Sequence, residues 1–188
     1  MTRSIDHDAQ HRFSGHGGRA DQPDRRSSPL MIQMSTGVGV GPTPLAAFDA
    51  ALRQIGVGDF NLIRLSSVIP SGSRIRHVER VEKEARWGDR LYCVYAEQHS
   101  TTPGQGAAAG VGWVLKDDDS GSGLFVEHHG STEQEVSTQI RSTLGDMTAG
   151  RGGGFDAPQM SIATAVCEQQ PVCVISLAAY SAGWWGVQ

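Results

Sequence analysis

Apolar residues recur at helical spacing at Leu45, Phe48, Leu52 and Ile55. This pattern predicts a helix over 44–55 with one apolar face. Thr43 is a fitting N-cap, Pro44 suits the first helical position, and Gly56 stops the helix. Upstream, 31–36 reads as a short strand, and Gly37-Val38-Gly39-Val40-Gly41 as a glycine-rich turn. Downstream, Asp-Phe-Asn-Leu-Ile-Arg-Leu (59–65) reads as a strand running into the core, punctuated by Pro70 and Gly72. Residues 78–90 are charged and carry no period. Further strands are expected at 91–99, 107–116 and 123–129, with a polar turn from Asp117 to Gly123 between the last two. Ser131 followed by Gln134 resembles a capping box opening a helix over 132–148, which the glycines at 150–154 end. Two strands, 159–168 and 172–181, flank Pro171. There is no internal repeat, and the mixed order of strands and helices predicts a layered α+β sandwich.

Composition narrows the function classes. A chain of 188 residues supports one domain with a sizeable core. Residues 1–30 hold five Arg, four Asp and three His among scattered apolar side chains. Such a segment buries too little apolar surface to offset its ordering entropy. The reading is therefore a disordered leader over 1–30 and a single domain over 31–188. The leader has no apolar core of a secretory signal, and its acids argue against a cleaved targeting peptide. No run is apolar for long enough to span a membrane. The net charge of −4, with no concentrated basic face, argues against a nucleic-acid partner. Cys93, Cys167 and Cys173 are odd in number and irregularly spaced, which predicts reduced thiols in a cytoplasmic protein. No CxxC pair is present, so no metal site is expected.

Three positions stand out chemically. Ser66-Ser67 closes a strand read as buried, just before a proline bend, and strand parity puts Ser67 on the apolar side with Ile63 and Leu65. Small polar residues at a strand end also serve simply to bond local backbone. Asp49 falls beside the apolar stripe of the first helix, so a cation should meet it. That cation is either an internal Arg or Lys, or a basic substrate whose guanidinium a carboxylate accepts in bidentate fashion. Glu127 ends the run Gly-Leu-Phe-Val-Glu, either as a solvated strand terminus or as a partly buried acid able to hold a proton.

The runs Gly-Pro-Thr-Pro-Leu-Ala-Ala-Phe-Asp-Ala-Ala-Leu (41–52) and Gly-Val-Gly-Asp-Phe-Asn-Leu-Ile-Arg-Leu-Ser-Ser-Val-Ile-Pro (56–70) resemble the pyruvoyl-dependent arginine decarboxylase family. The similarity is dense over 37–77 and looser through Gly123–Glu127, the following helix and the Ala-rich stretch 178–182. Departures are Ser71, where the family usually has a second proline, and the strongly charged stretch 79–89.

This resemblance implies an αββα sandwich with mixed or antiparallel sheets. It also implies a trimer or dimer of trimers of cleaved protomers, with active sites between subunits. Ser66-Ser67 matches the self-cleavage site, at which Ser67 becomes a covalent pyruvoyl group. The reaction implied is decarboxylation of L-arginine to agmatine through a Schiff base to that group. Asn61 matches a residue linked to processing, and strand parity points it to the side of Ser67; Asp49 matches the residue that meets the guanidinium, and Glu127 the proton donor. Leu45, Leu52, Gly58 and Val68 match positions lining the substrate pocket. Agmatine formation suits polyamine synthesis and acid resistance alike. The competing readings are a pyruvoyl decarboxylase of another amino acid and an uncleaved, non-catalytic scaffold. Trp184 and Trp185 are expected either in a subunit interface or in the core.

Overall fold

The computed structural model describes residues 28–84 and 86–186. Strand β1 (Leu30–Val40) leads into helix α1 (Pro44–Gln54). Then come β2 (Asn61–Arg64), β3 (Val68–Ile69), β4 (Ser73–His77), β5 (Arg90–Ser100), β6 (Gly106–Leu115) and β7 (Gly123–Gly130). Helix α2 (Glu133–Ala149), β8 (Gln159–Val166) and β9 (Val172–Gly183) complete the order.

The strands form a five-stranded sheet, β2-β5-β9-β1-β4, and a four-stranded sheet, β3-β7-β6-β8. In the first, β1–β4 and β2–β5 are parallel, while β9 runs antiparallel to β1 and β5. The second is antiparallel throughout. Alternate residues of β9 settle the layering. Cys173, Ile175, Leu177 and Ala179 pack with α1, whereas Val174, Ala178 and Tyr180 face the second sheet. Helix α2 covers the other side of that sheet through Val136, Ile140 and Leu144. The molecule is the expected αββα sandwich.

Four local expectations are corrected. The segment 37–41 is not a turn: β1 continues through the glycines to Val40. Their role is close approach, because a Cβ on Gly39 would land on the α1 backbone at Ala47 and Ala51. Consequently α1 buries its small face, Ala47 and Ala51 with Leu52, and Ile55 is buried just beyond its end. Leu45, assigned to the buried stripe, is 75% exposed. Spacing alone ranked the large residues above the alanines, and the glycine-paved strand turns the buried face toward Ala47 and Ala51 at the expense of Leu45. The capping box is also shifted by one residue. Thr132 caps α2 by accepting from Glu135 N at 3.2 Å, and Glu135 accepts in turn from Ser131 N at 2.9 Å. Last, β3 and β4 were not foreseen, being two and five residues long.

Of the proposed leader, 1–27 lie outside the described residues, and Leu30 already opens β1. Cys93, Cys167 and Cys173 are free and buried. Burial pushes the Cys93 and Cys173 thiols up to about 12. Among the described residues no helix is long and apolar enough to cross a membrane, and no His, Cys, Asp or Glu cluster could hold a metal ion.

Candidate active site

The chain changes sheets at the paired serines. β2 belongs to the five-stranded sheet and ends at Arg64; Leu65 N still bonds Cys93 O at 2.9 Å. Two residues past Ser66, β3 is already paired with β7 in the other sheet, Val68 opposite Leu124. Ser67 makes this crossing with φ of 69°, left-handed backbone that a residue with a Cβ rarely adopts. The conformation costs about 1–2 kcal/mol relative to ordinary backbone. Because β2 stops at Arg64, strand parity does not carry to Ser67. Ser67 is nevertheless half-buried, while Ser66 is exposed.

Three hydrogen bonds hold the crossing. The Ser67 hydroxyl donates to Glu127 Oε1 at 2.5 Å. Phe125 N donates to the Ser67 carbonyl at 2.8 Å. Tyr180 Oη donates to the Val68 carbonyl at 3.1 Å. Phe125 and Glu127 lie on the same face of β7, directed at the other sheet, so one strand supplies both the amide and the carboxylate. His128, the next residue along β7 and paired with Gly110, turns the other way and bonds Thr143 of α2 at 2.8 Å. Burial lowers its pKa, against the Glu127 charge, which raises it.

Glu127 is half-buried, as its partly buried reading required. It lines a cavity of about 430 Å³ with Arg64, Tyr95, Glu97, His99 and His129. Glu97 Oε2 and His99 Nδ1 are buried without a hydrogen-bond partner among the described residues. The Arg64 guanidinium stacks over the Tyr95 ring at 4.1 Å.

The remaining sequence-derived residues form a second group. Asp49 is exposed on α1 and pairs with Arg53 Nε at 2.8 Å, so an internal cation does meet it. Its predicted place beside the buried stripe is corrected together with that of Leu45, while Phe48, Leu52 and Ile55 keep theirs. Leu52 is buried beneath α1, and Gly58 lies against the Arg53 side chain. Asn61 donates to the Gly88 carbonyl at 2.6 Å at the exposed start of β2, rather than to Ser67. Within one protomer, then, Ser67, Val68 and Glu127 come together. Leu45, Asp49, Leu52 and Gly58 gather around α1, on the opposite side of the five-stranded sheet.

Trp184 and Trp185 are 73% and 57% exposed, which removes their core reading. Trp185 Nε1 donates to Gly88 O at 2.8 Å, beside Asn61, and the Arg90 guanidinium sits over its ring at 4.8 Å. Tyr180 escaped the sequence reading. Its only signal was a residue with a polar tip inside an Ala-rich apolar strand, which needs a partner when buried.

The family model described as pyruvoyl-dependent arginine decarboxylase matches residues 31–183. A pyruvoyl-dependent arginine decarboxylase of Halobacterium salinarum is 41% identical over 96 residues, or 51% of this chain and 58% of that protein. One from Thermococcus kodakarensis is 30% identical over 154 residues, covering 80% of this chain and 94% of the relative. Among solved structures, a pyruvoyl-dependent histidine decarboxylase superposes loosely, with a TM-score of 0.42 and 16% identity over 71% of this chain and 59% of that one.

Proposed function

Since the chain belongs to the pyruvoyl-dependent arginine decarboxylase family, we propose that it cuts itself between Ser66 and Ser67 and then decarboxylates L-arginine to agmatine and CO2. The observation that carries this reading is Ser67 itself, left-handed and with its hydroxyl on a carboxylate at 2.5 Å. Residues 31–188 act in this reading as one domain that divides after Ser66.

The residues suit formation of the group from Ser67. Glu127 is placed to draw the proton from Oγ as that oxygen attacks the Ser66 carbonyl carbon. The Ser66–Ser67 peptide bond is exchanged for an ester, and the strain stored at Ser67 helps drive the exchange. Loss of the Ser67 Cα proton expels Ser66 as a carboxylate and leaves a dehydroalanine. Water then releases ammonia and leaves the ketone. A pyruvoyl group supplies an electrophilic carbonyl for the substrate's α-amine and a sink for the electron pair left as CO2 departs. Phe125 N, already on the Ser67 carbonyl, holds the adjoining amide. Glu127, half-buried and next to the reacting position, is the acid that returns a proton to the substrate Cα.

Substrate choice rests on Asp49. It is exposed on α1, remote from Ser67 within one protomer, and Leu45 beside it is 75% exposed. Val68, next to Ser67, is 57% exposed. A second copy presenting its α1 to the Ser67 group would complete the site, in keeping with a homo-oligomer of cleaved protomers.

Asp49→Asn is expected to raise KM for arginine by roughly 10- to 100-fold, the range for a charged hydrogen bond, with kcat little changed. Steady-state kinetics with a panel of amino acids measures this. An unchanged KM would mean that Asp49 serves only Arg53, an exposed helical pair contributing about 0.3–0.5 kcal/mol.

A further inference from the structure

Tyr180 sits at a fault in the sheet. The register between β5 and β9 steps from Tyr92 opposite Ser181 to Cys93 opposite Ala179, leaving Tyr180 as the extra residue of a β-bulge. Side-chain alternation along β9 changes there: Ala179 faces α1, and Ala182 faces α1 too. Bulges re-aim a side chain and recur beside active sites. Here the side chain crosses the inter-sheet core, 4% exposed, with its ring edge-on to Phe125 at 6.0 Å. Its hydroxyl ends on the Val68 carbonyl at 3.1 Å, although the two residues are 112 positions apart.

The target is the carbonyl of the residue that follows the strained one. Phe125 N takes the Ser67 carbonyl and Tyr180 takes the next one, so two consecutive carbonyls are fixed by groups from different sheets. A left-handed serine persists only where its surroundings over-determine it. Val68 keeps its importance after cleavage, when its N is the covalent attachment of whatever residue 67 has become.

We propose that Tyr180 is a positioning residue: its hydroxyl anchors the Val68 carbonyl and thereby holds position 67 against Glu127, during self-cleavage and during turnover. Burial above all, then the Glu127 and Cys93 charges, push the phenol pKa up, so it remains a proton donor at any working pH. The inference rests on the self-cleavage reading above.

The test is Tyr180→Phe, which keeps the ring on Phe125 and removes only the oxygen. Newly made protein is sampled over time and the uncleaved fraction read by intact mass. Cleavage is expected to slow about tenfold, the effect of leaving a buried carbonyl unpaired. Once fully cleaved, the variant is expected to show lower kcat with unchanged KM. Ile140→Val, in the core beneath α2 and away from this crossing, is the control for stability alone. It should lower the melting temperature without slowing cleavage. Equal slowing in Tyr180→Phe and the control, or cleavage and kcat at the unaltered rate in Tyr180→Phe, overturns the role of Tyr180 and leaves the self-cleavage reading intact. An unaltered chain that never divides overturns both.

Discussion

Ser67→Ala is expected to leave the chain in one piece and without decarboxylase activity. The variant lacks the hydroxyl proposed to attack the Ser66 carbonyl, and without that step no carbonyl group forms to take up the electrons of the departing CO2. Folding should survive, since Ser67 is half-buried and, among the described residues, its side chain makes a single hydrogen bond, to Glu127. Alanine keeps the left-handed φ of 69° unfavourable, so removing the hydroxyl does not relieve the strain. Ser67→Gly does relieve it, and should be more stable than Ser67→Ala by about 1–2 kcal/mol while equally inactive. Intact mass, a product assay and chemical denaturation together check the three parts. A Ser67→Ala chain that still divides would move the nucleophile elsewhere.

Glu127→Gln separates two uses of one carboxylate. The amide oxygen can still accept the Ser67 hydroxyl, so the chain should still divide, although more slowly because an amide is a poor proton acceptor. It cannot return a proton to the substrate Cα, so turnover of the cleaved protein should fall by roughly 10²- to 10⁴-fold with KM little affected. Normal activity in a cleaved Glu127→Gln protein would assign the proton donor to another group, and the cavity offers His129 as the next candidate.

Most elements were legible because they rest on local physics, whereas the αββα order of the layers came from the family resemblance. Thr43 accepts from Ala46 N at 3.1 Å with Pro44 behind it, so the start of α1 could be read from its cap. Strands β5 to β9 follow apolar runs between turn residues. What was not legible depends on partners distant in sequence. Nothing local says that Gly37 and Gly39 pave the floor for α1, and the error there displaced both Leu45 and Asp49 from the buried side. The family motif singled out Ser67 and Glu127, while their contact, 60 residues apart, comes from β3 pairing with β7. β3 has only two residues and shows no period at all. Tyr180 was missed for the same reason, since a β-bulge is a property of two strands and not of one. Asn61 was aligned with Ser67 by parity, which fails because β2 ends at Arg64 and the chain crosses to the other sheet.

The central claim is that the chain breaks itself between Ser66 and Ser67 and makes a carbonyl there. Intact mass of the purified protein under denaturing conditions addresses it directly. Two pieces are predicted, divided at that bond, the larger lacking a free α-amine and carrying the mass of a pyruvoyl group at its start. A single uncleaved chain of 20.1 kDa would contradict the claim.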